Sequence, residues 1–133
     1  MAAPLSHVRV LDISRVLAGP WATQNLGDLG AEIIKVERPG VGDDTRSWGP
    51  PWLADGQGQP THDSAYYASA NRGKRSITLD VSKPEGRQLA IELARRSQIF
   101  VENFKVGDLA RYGLDYDSLR KVNPSLVYCS ITG

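Results

Sequence analysis

VRVLDISRVLAGPWATQNLGDLGAEIIKVERPG, from Val8 to Gly40, is the stretch that decides the fold. Val8, Val10, Leu11 and Ile13 form a short run rich in β-branched residues, with Asp12 and Ser14 at its end, and predict a buried parallel strand. Gly19-Pro20 punctuates the chain, and Pro20 suits the first helical position because its missing N–H is not needed there. Trp21, Leu26 and Leu29 share a helical face, and Gly30 reads as the C-terminal cap. Ile33, Ile34 and Val36 make a second strand that ends on Glu37 and Arg38. The spacing is that of a βαβ unit. Open α/β sheets bind ligands outside the carboxyl ends of their strands. Arg15 to Trp21 and Glu37 to Asp44 are therefore the segments where a ligand is expected.

Outward from this unit the composition changes. Residues 39–63 are dominated by Gly, Pro, Asp, Trp and Gln and read as a long structureless loop, of the kind that inside a domain is usually functional or partly disordered. Trp48 and Trp52 are expected to pin it onto the body or onto another subunit. Ser64 to Ala70 reads as one or two helical turns with Tyr66 and Tyr67 packed, and Asn71 to Arg75 as a basic turn. A third strand covers Ser76 to Val81. Pro84 opens a helix whose core face is Leu89, Ala90, Leu93 and Ala94, with Arg95 and Arg96 in the last turn, where the helix dipole favours cations. A fourth strand, Ile99 to Glu102, runs into Asn103-Phe104. Helical pieces at Val106 to Tyr112 and Tyr116 to Val122 flank Gly113, and Leu126 to Ile131 is a fifth strand. Strands alternating with helices predict an α/β domain: a mostly parallel sheet with flanking helices joined by right-handed βαβ crossovers.

The 133 residues suffice for one ordinary core, and 41% hydrophobic with 23% charged residues is a globular composition. A net charge of +1 gives no broad case for nucleic acid or anionic membrane as a partner. Cys129 is the sole cysteine, so no intramolecular disulfide forms, and a reducing interior is expected. MAAPLSHVRV has no basic segment followed by a long apolar run, and the expected location is cytoplasmic. LVYCSITG, Leu126 to Gly133, reads as a strand and the start of a turn, and suggests a fragment of a longer polypeptide.

Glu37 stands 18 residues after Gly19, about where a dinucleotide fold places its ribose-binding acid. The first turn, LAGPWATQNLG, nonetheless lacks G-x-G-x-x-G, which weighs against nicotinamide cofactors. Arg38 follows the second strand, where an arginine reaches a phosphate on an adenosine ribose or stacks on the base; a solvated surface role fits it equally at this level. Arg15, Arg72, Lys74, Arg75 and Arg111 are further cations near strand ends or starts. His7 and His62 have no second ligand at useful spacing, so no metal is expected. Cys129 reads as a buried core residue. Asp12 and Asp80 read as turn or cap residues, and Asp43-Asp44-Thr45 as the start of a helical turn.

Five segments carry a family resemblance: LDISRVLAGPWAT (Leu11 to Thr23), DLGAEIIKVERPGVGDDTR (Asp28 to Arg46), ANRGKRSITLDVSKPEGR (Ala70 to Arg87), VENFKVGDLARYGLDY (Val101 to Tyr116) and NPSLVYCSITG (Asn123 to Gly133). Together they resemble the class III CoA-transferases, the family of formyl-CoA transferase and carnitine CoA-transferase that also contains α-methylacyl-CoA racemase. The run from Arg15 to Pro51 looks closest to members that use succinyl-CoA and dicarboxylate acceptors such as glutarate. The resemblance implies that residues 1–133 are the N-terminal, CoA-binding part of a Rossmann-like domain in a longer chain, whose copies interlock as a homodimer. It implies coenzyme A or acyl-CoA as substrate, a small carboxylic acid as acceptor, and no metal.

By the same resemblance Val16, Arg38 and Leu79 surround the adenosine, with Arg38 against the adenine, while Asn103, Phe104 and Arg111 contact the pantetheine or phosphates. The family's transfer runs through an aspartate nucleophile: a mixed anhydride forms, and the CoA thiolate then gives an aspartyl thioester that the acceptor carboxylate resolves. That aspartate is expected beyond Gly133, as is the Asp/His pair of the racemases. No catalytic residue is assigned within these residues, and the fragment alone is expected to be inactive. A racemase of the same superfamily and a non-catalytic CoA- or nucleotide-binding module are the alternatives.

Overall fold

A computed structural model of the chain describes residues 2–132. Five strands, β1 (Arg9–Asp12), β2 (Glu32–Glu37), β5 (Arg75–Thr78), β6 (Ile99–Glu102) and β7 (Val127–Ser130), form one sheet in the order β5-β2-β1-β6-β7. Every neighbouring pair in it is parallel. The chain fills one side of β1 with β2 and β5, then crosses to the other side for β6 and β7. The strand order therefore reverses between β1 and β6, and the crevice for a ligand lies at the carboxyl ends of these strands. The α/β, Rossmann-like expectation holds.

Alternation along the strands sends apolar side chains to both faces, as a parallel sheet covered on both sides requires. Val10, Ala31, Ile33 and Val101 form the smaller core, with Leu26 of α1 (Ala18–Asp28) packed on it. Leu11, Ile13, Val36 and Phe100 face the larger core, which is completed by Ala90 and Ala94 of α3 (Pro84–Arg95) and Leu119 of α4 (Tyr116–Val122). Helix α2 (Ala65–Asn71) lies beside α1.

Several local expectations need correction. Helix α1 begins at Ala18 rather than Pro20, because the Trp21 amide already donates to the Leu17 carbonyl at 2.8 Å. Its inward face is Gly19, Pro20, Thr23 and Gln24, not Trp21 and Leu29, which are about half exposed. Thr23 and Gln24 turn inward to make hydrogen bonds: the Thr23 hydroxyl donates to Asp12, and the Gln24 side chain donates to the Ser69 carbonyl and accepts from the Arg72 amide. Helix α3 packs through the small residues Gly86, Ala90 and Ala94, so Leu89 is left outside. A Cβ on Gly86 would stand 2.1 Å from the Asp80 carbonyl oxygen, which explains the glycine.

Cys129 is exposed, not buried. It sits on edge strand β7, on the face shared with Val101 of β6, and α1 packs on β1, β2 and β6, so the β7 end of that face is open. Residues 39–63 are not structureless either. A 3-10 turn covers Asp44–Ser47, and β3 (Trp52–Ala54) pairs antiparallel with β4 (Pro60–Ser64). The hairpin turn is closed by the Asp55 carboxylate, which accepts from the amides of Gln57 and Gln59. Trp48 packs edge-on against Tyr66, so the expected anchoring onto the body holds for this residue. Gly133, which ends the turn expected after the fifth strand, lies outside the described residues.

Phe100 of β6 is fully buried in the larger core and stacks on Tyr128 at 5.1 Å. Phe100→Ala should lower stability by about 3–5 kcal/mol through lost transfer energy and the cavity it leaves. Urea unfolding monitored by circular dichroism checks this; a loss below about 1 kcal/mol would mean that the site collapses around the deletion.

Candidate binding site at the carboxyl ends of the strands

Glu37, the last residue of β2, has a nearly buried carboxylate that accepts five hydrogen bonds. Arg46 grips it with a two-pronged fork, Nε to Oε2 at 2.7 Å and Nη2 to Oε1 at 2.8 Å. The Tyr67 and Ser76 hydroxyls donate to Oε1, and the Asp43 amide donates to Oε2. Burial by itself would raise the Glu37 pKa, but the donors, Arg46 foremost, outweigh it and bring the group down to about 2. Burial beside this carboxylate raises the Tyr67 pKa, and Arg46 Cζ stands over the Tyr67 ring, 3.8 Å from its centroid. Gly42 closes the turn after β2 at φ +72°, and a Cβ there would meet Arg46 Cδ and Glu37 Oε2 at 2.7 Å. Only glycine satisfies both demands without a shift.

Two buried ion pairs lie beside this centre. Lys35 Nζ donates to Asp43 Oδ2 at 2.9 Å and to the Ser14 carbonyl at 3.0 Å, with both side chains fully buried. Asp43 also accepts from the amide and hydroxyl of Thr45 and, at 3.3 Å, from the Val16 amide. Val16 is held at φ +72°, a conformation that costs a β-branched residue about 1–3 kcal/mol. Burial would raise the Asp43 pKa, yet Lys35 and Thr45 leave it lowered. Lys74 Nζ donates to Asp12 Oδ2, the Pro20 carbonyl and Asn71 Oδ1 at 2.7–3.0 Å. Burial depresses the Lys74 pKa to about 8, with Asp12 opposing the shift.

A cavity of about 410 Å³ opens over the ends of β1, β2 and β5 and the segment after β6. Its apolar wall includes Ile13, Val36, Leu79, Val81 and Phe104, and Arg15, Arg38 and Arg111 also line it. Of the six residues proposed from the resemblance, Arg38, Leu79, Phe104 and Arg111 line this cavity. Val16 and Asn103 are not among the residues that line it. Asn103 clasps the backbone of Arg15, accepting from its amide at 2.9 Å and donating to its carbonyl at 2.7 Å, and so ties the end of β6 to the turn after β1. Asp80 accepts from the Ser82 amide and hydroxyl, the turn duty expected of it.

Sequence reasoning missed Lys35, Tyr67 and the buried role of Lys74. One signal was present for Lys35: a lysine inside EIIKVE, a strand buried on both faces, requires a buried partner. Lys74 and Tyr67 find theirs across more than 28 residues of chain, Lys74 on Asp12 and Tyr67 on Glu37, and nothing local marks them. Among the described residues no helix is long and apolar enough to cross a membrane.

The model of CoA-transferase family III matches residues 5–133. A succinate–glutarate CoA-transferase of Agrobacterium fabrum is 56% identical over 130 residues, covering 98% of this chain and 32% of its own length. A succinyl-CoA:glutarate CoA-transferase of Homo sapiens is 52% identical over 130 residues, covering 98% of this chain and 28% of its own. Among solved structures, a CAIB/BAIF family protein from Brucella suis superposes with a TM-score of 0.92 at 51% identity, over all of this chain and 34% of that one. The chain thus spans about a third of the length of the curated relatives it matches.

Because the Glu37 pKa falls from 4.5 to about 2 on folding, its contribution to stability is complete above pH 4.5 and is lost as the pH drops toward 2. The stability difference between the wild type and Glu37→Gln should therefore shrink by on the order of 3 kcal/mol from about pH 6 to about pH 2. Urea titrations across that range measure it, and a constant difference would show that Glu37 is not held as an anion.

Proposed function

The chain belongs to CoA-transferase family III, and from that premise we propose that residues 1–133 form the CoA-binding part of an acyl-CoA:carboxylate CoA-transferase. The observation that carries this reading is the cavity at the strand ends, with an apolar wall of Leu79, Val81 and Phe104 and a lining that includes Arg15, Arg38 and Arg111. An adenosine carrying phosphates needs this combination: a flat apolar slot for the base, and guanidinium forks for the phosphates. A nicotinamide cofactor would ask Glu37 to accept from a ribose, but that carboxylate is already filled by protein donors.

In this reading Arg38 and Leu79 hold the adenosine, the Arg38 guanidinium lying against the adenine with its N–H edge left for a phosphate on the ribose, and Val16 shapes the adjoining turn. Phe104 and Arg111 meet the pantetheine and phosphates, and Asn103 fixes the turn that carries Arg15. The acyl donor is succinyl-CoA and the acceptor a dicarboxylate, as the names of the similar transferases suggest. Transfer runs through an enzyme aspartate: its carboxylate displaces CoA thiolate from the acyl-CoA to give an anhydride, and the thiolate attacks the aspartyl carbonyl, releasing the first acid and leaving an aspartyl-CoA thioester. The acceptor carboxylate then displaces the thiolate, which attacks the acceptor's acyl carbonyl to give the new acyl-CoA and free the aspartate. No residue from 1 to 133 is given that nucleophilic role. A homodimer in the cytoplasm is part of the same proposal.

Arg38→Ala should weaken CoA binding by about tenfold to a hundredfold, the range expected for losing a charge-assisted contact. Calorimetry with CoA on the full protein checks it, and unchanged affinity would remove Arg38 from the site.

A further inference from the structure

The arginines that line the cavity are already met by aspartates of the chain. Asp44 serves two of them: Oδ1 accepts from Arg38 Nη2 at 2.6 Å, and Oδ2 accepts from Arg15 Nη1 at 3.2 Å. Arg111 Nη2 stands 3.8 Å from Asp108 Oδ1. Arg15 Nε is buried and has no hydrogen-bond partner among the described residues, although Arg15 lines the cavity. A single carboxylate thus spans two guanidinium groups and leaves one buried donor unanswered.

We propose that the Asp44 carboxylate is an internal anion that holds Arg15 and Arg38 in the free protein and exchanges places with a phosphate of the ligand, so that Asp44 sets the pocket's affinity for phosphate-bearing ligands. This rests on the CoA reading only for the identity of the ligand. A phosphate monoester carries more charge than a carboxylate and offers three acceptor oxygens rather than two, enough to span the Arg15 and Arg38 guanidinium groups that Asp44 now bridges. The Asp44 contacts are cheap to break. The side chains of Arg15, Arg38 and Asp44 are 36%, 52% and 37% exposed, and half-exposed pairs contribute little net stability.

The loop itself need not move for the exchange. Its neighbour Asp43 is locked by Lys35, Thr45 and the Val16 amide, so the Asp44 side chain is free to rotate on a fixed backbone. Because a ligand that binds the arginines must first displace Asp44, the free energy of those contacts is subtracted from binding. Removing the charge should therefore tighten binding.

Calorimetry on the full protein and on Asp44→Asn, with CoA and with inorganic pyrophosphate as probes, tests the exchange. The expected result is about three- to tenfold tighter binding of both probes to Asp44→Asn, with a steeper salt dependence. Equal or weaker binding in the variant, or no binding of either probe to either protein, overturns the proposal. Normal CoA binding with no gain in the variant would sink the exchange while leaving the CoA reading intact. A gain for pyrophosphate with no CoA binding would do the reverse. Asp44→Ser repeats the comparison if the amide variant fails to fold.

Discussion

The buried carboxylate of Glu37 is the constraint on which the upper half of the molecule depends. It ends the second strand of the sheet, and its five donors come from four places: the turn after that strand, the 3-10 turn, the helix beginning at Ala65 and strand β5. A buried anion must be answered on every side or it costs several kcal/mol. The answer here draws Asp43, Arg46, Tyr67 and Ser76 into one shell around the strand end. The ordering of the Gly- and Pro-rich segment follows from this demand as much as from the packing of Trp48.

The ion pairs at this end of the sheet fall into two kinds. Glu37–Arg46, Lys35–Asp43 and Lys74–Asp12 each have at least one side chain almost completely buried, and all are reinforced by further hydrogen bonds. Removing one member of such a pair leaves an unanswered charge, so these pairs serve as framework. Arg15 and Arg38 are open to solvent, and their interactions are weak enough to be remade. A binding site needs both kinds: a rigid floor that holds strained features such as Val16 in place, and guanidinium groups whose partners can change. The cavity lies where the two meet.

Much of this was legible in the sequence because the βαβ pattern is local. VRVLD and EIIKVE read as buried strands, Pro84 opens its helix where expected, and Gly30 ends the first one. The misses share a cause. Trp21, Leu29 and Leu89 satisfy helical periodicity, but tertiary contacts chose other faces: small residues where the third helix approaches Asp80, and hydrogen-bonding ones where the first helix meets Asp12. An apolar strand predicts a buried Cys129, but edge position, which leaves it exposed, cannot be read from one strand alone. Arg38, Leu79, Phe104 and Arg111 come together from four separate segments. Their convergence was expected from family motifs, since no local pattern joins them.

The most direct test of this account is a crystal structure of the full protein with CoA bound. The adenosine should lie against Arg38 and Leu79 at the carboxyl ends of the strands, with the Glu37–Arg46 fork unchanged beneath it. Adenosine seated elsewhere, or Glu37 released from Arg46 to accept from a ribose hydroxyl, would contradict the assignment of Glu37 as framework and of the arginine-lined cavity as the CoA site.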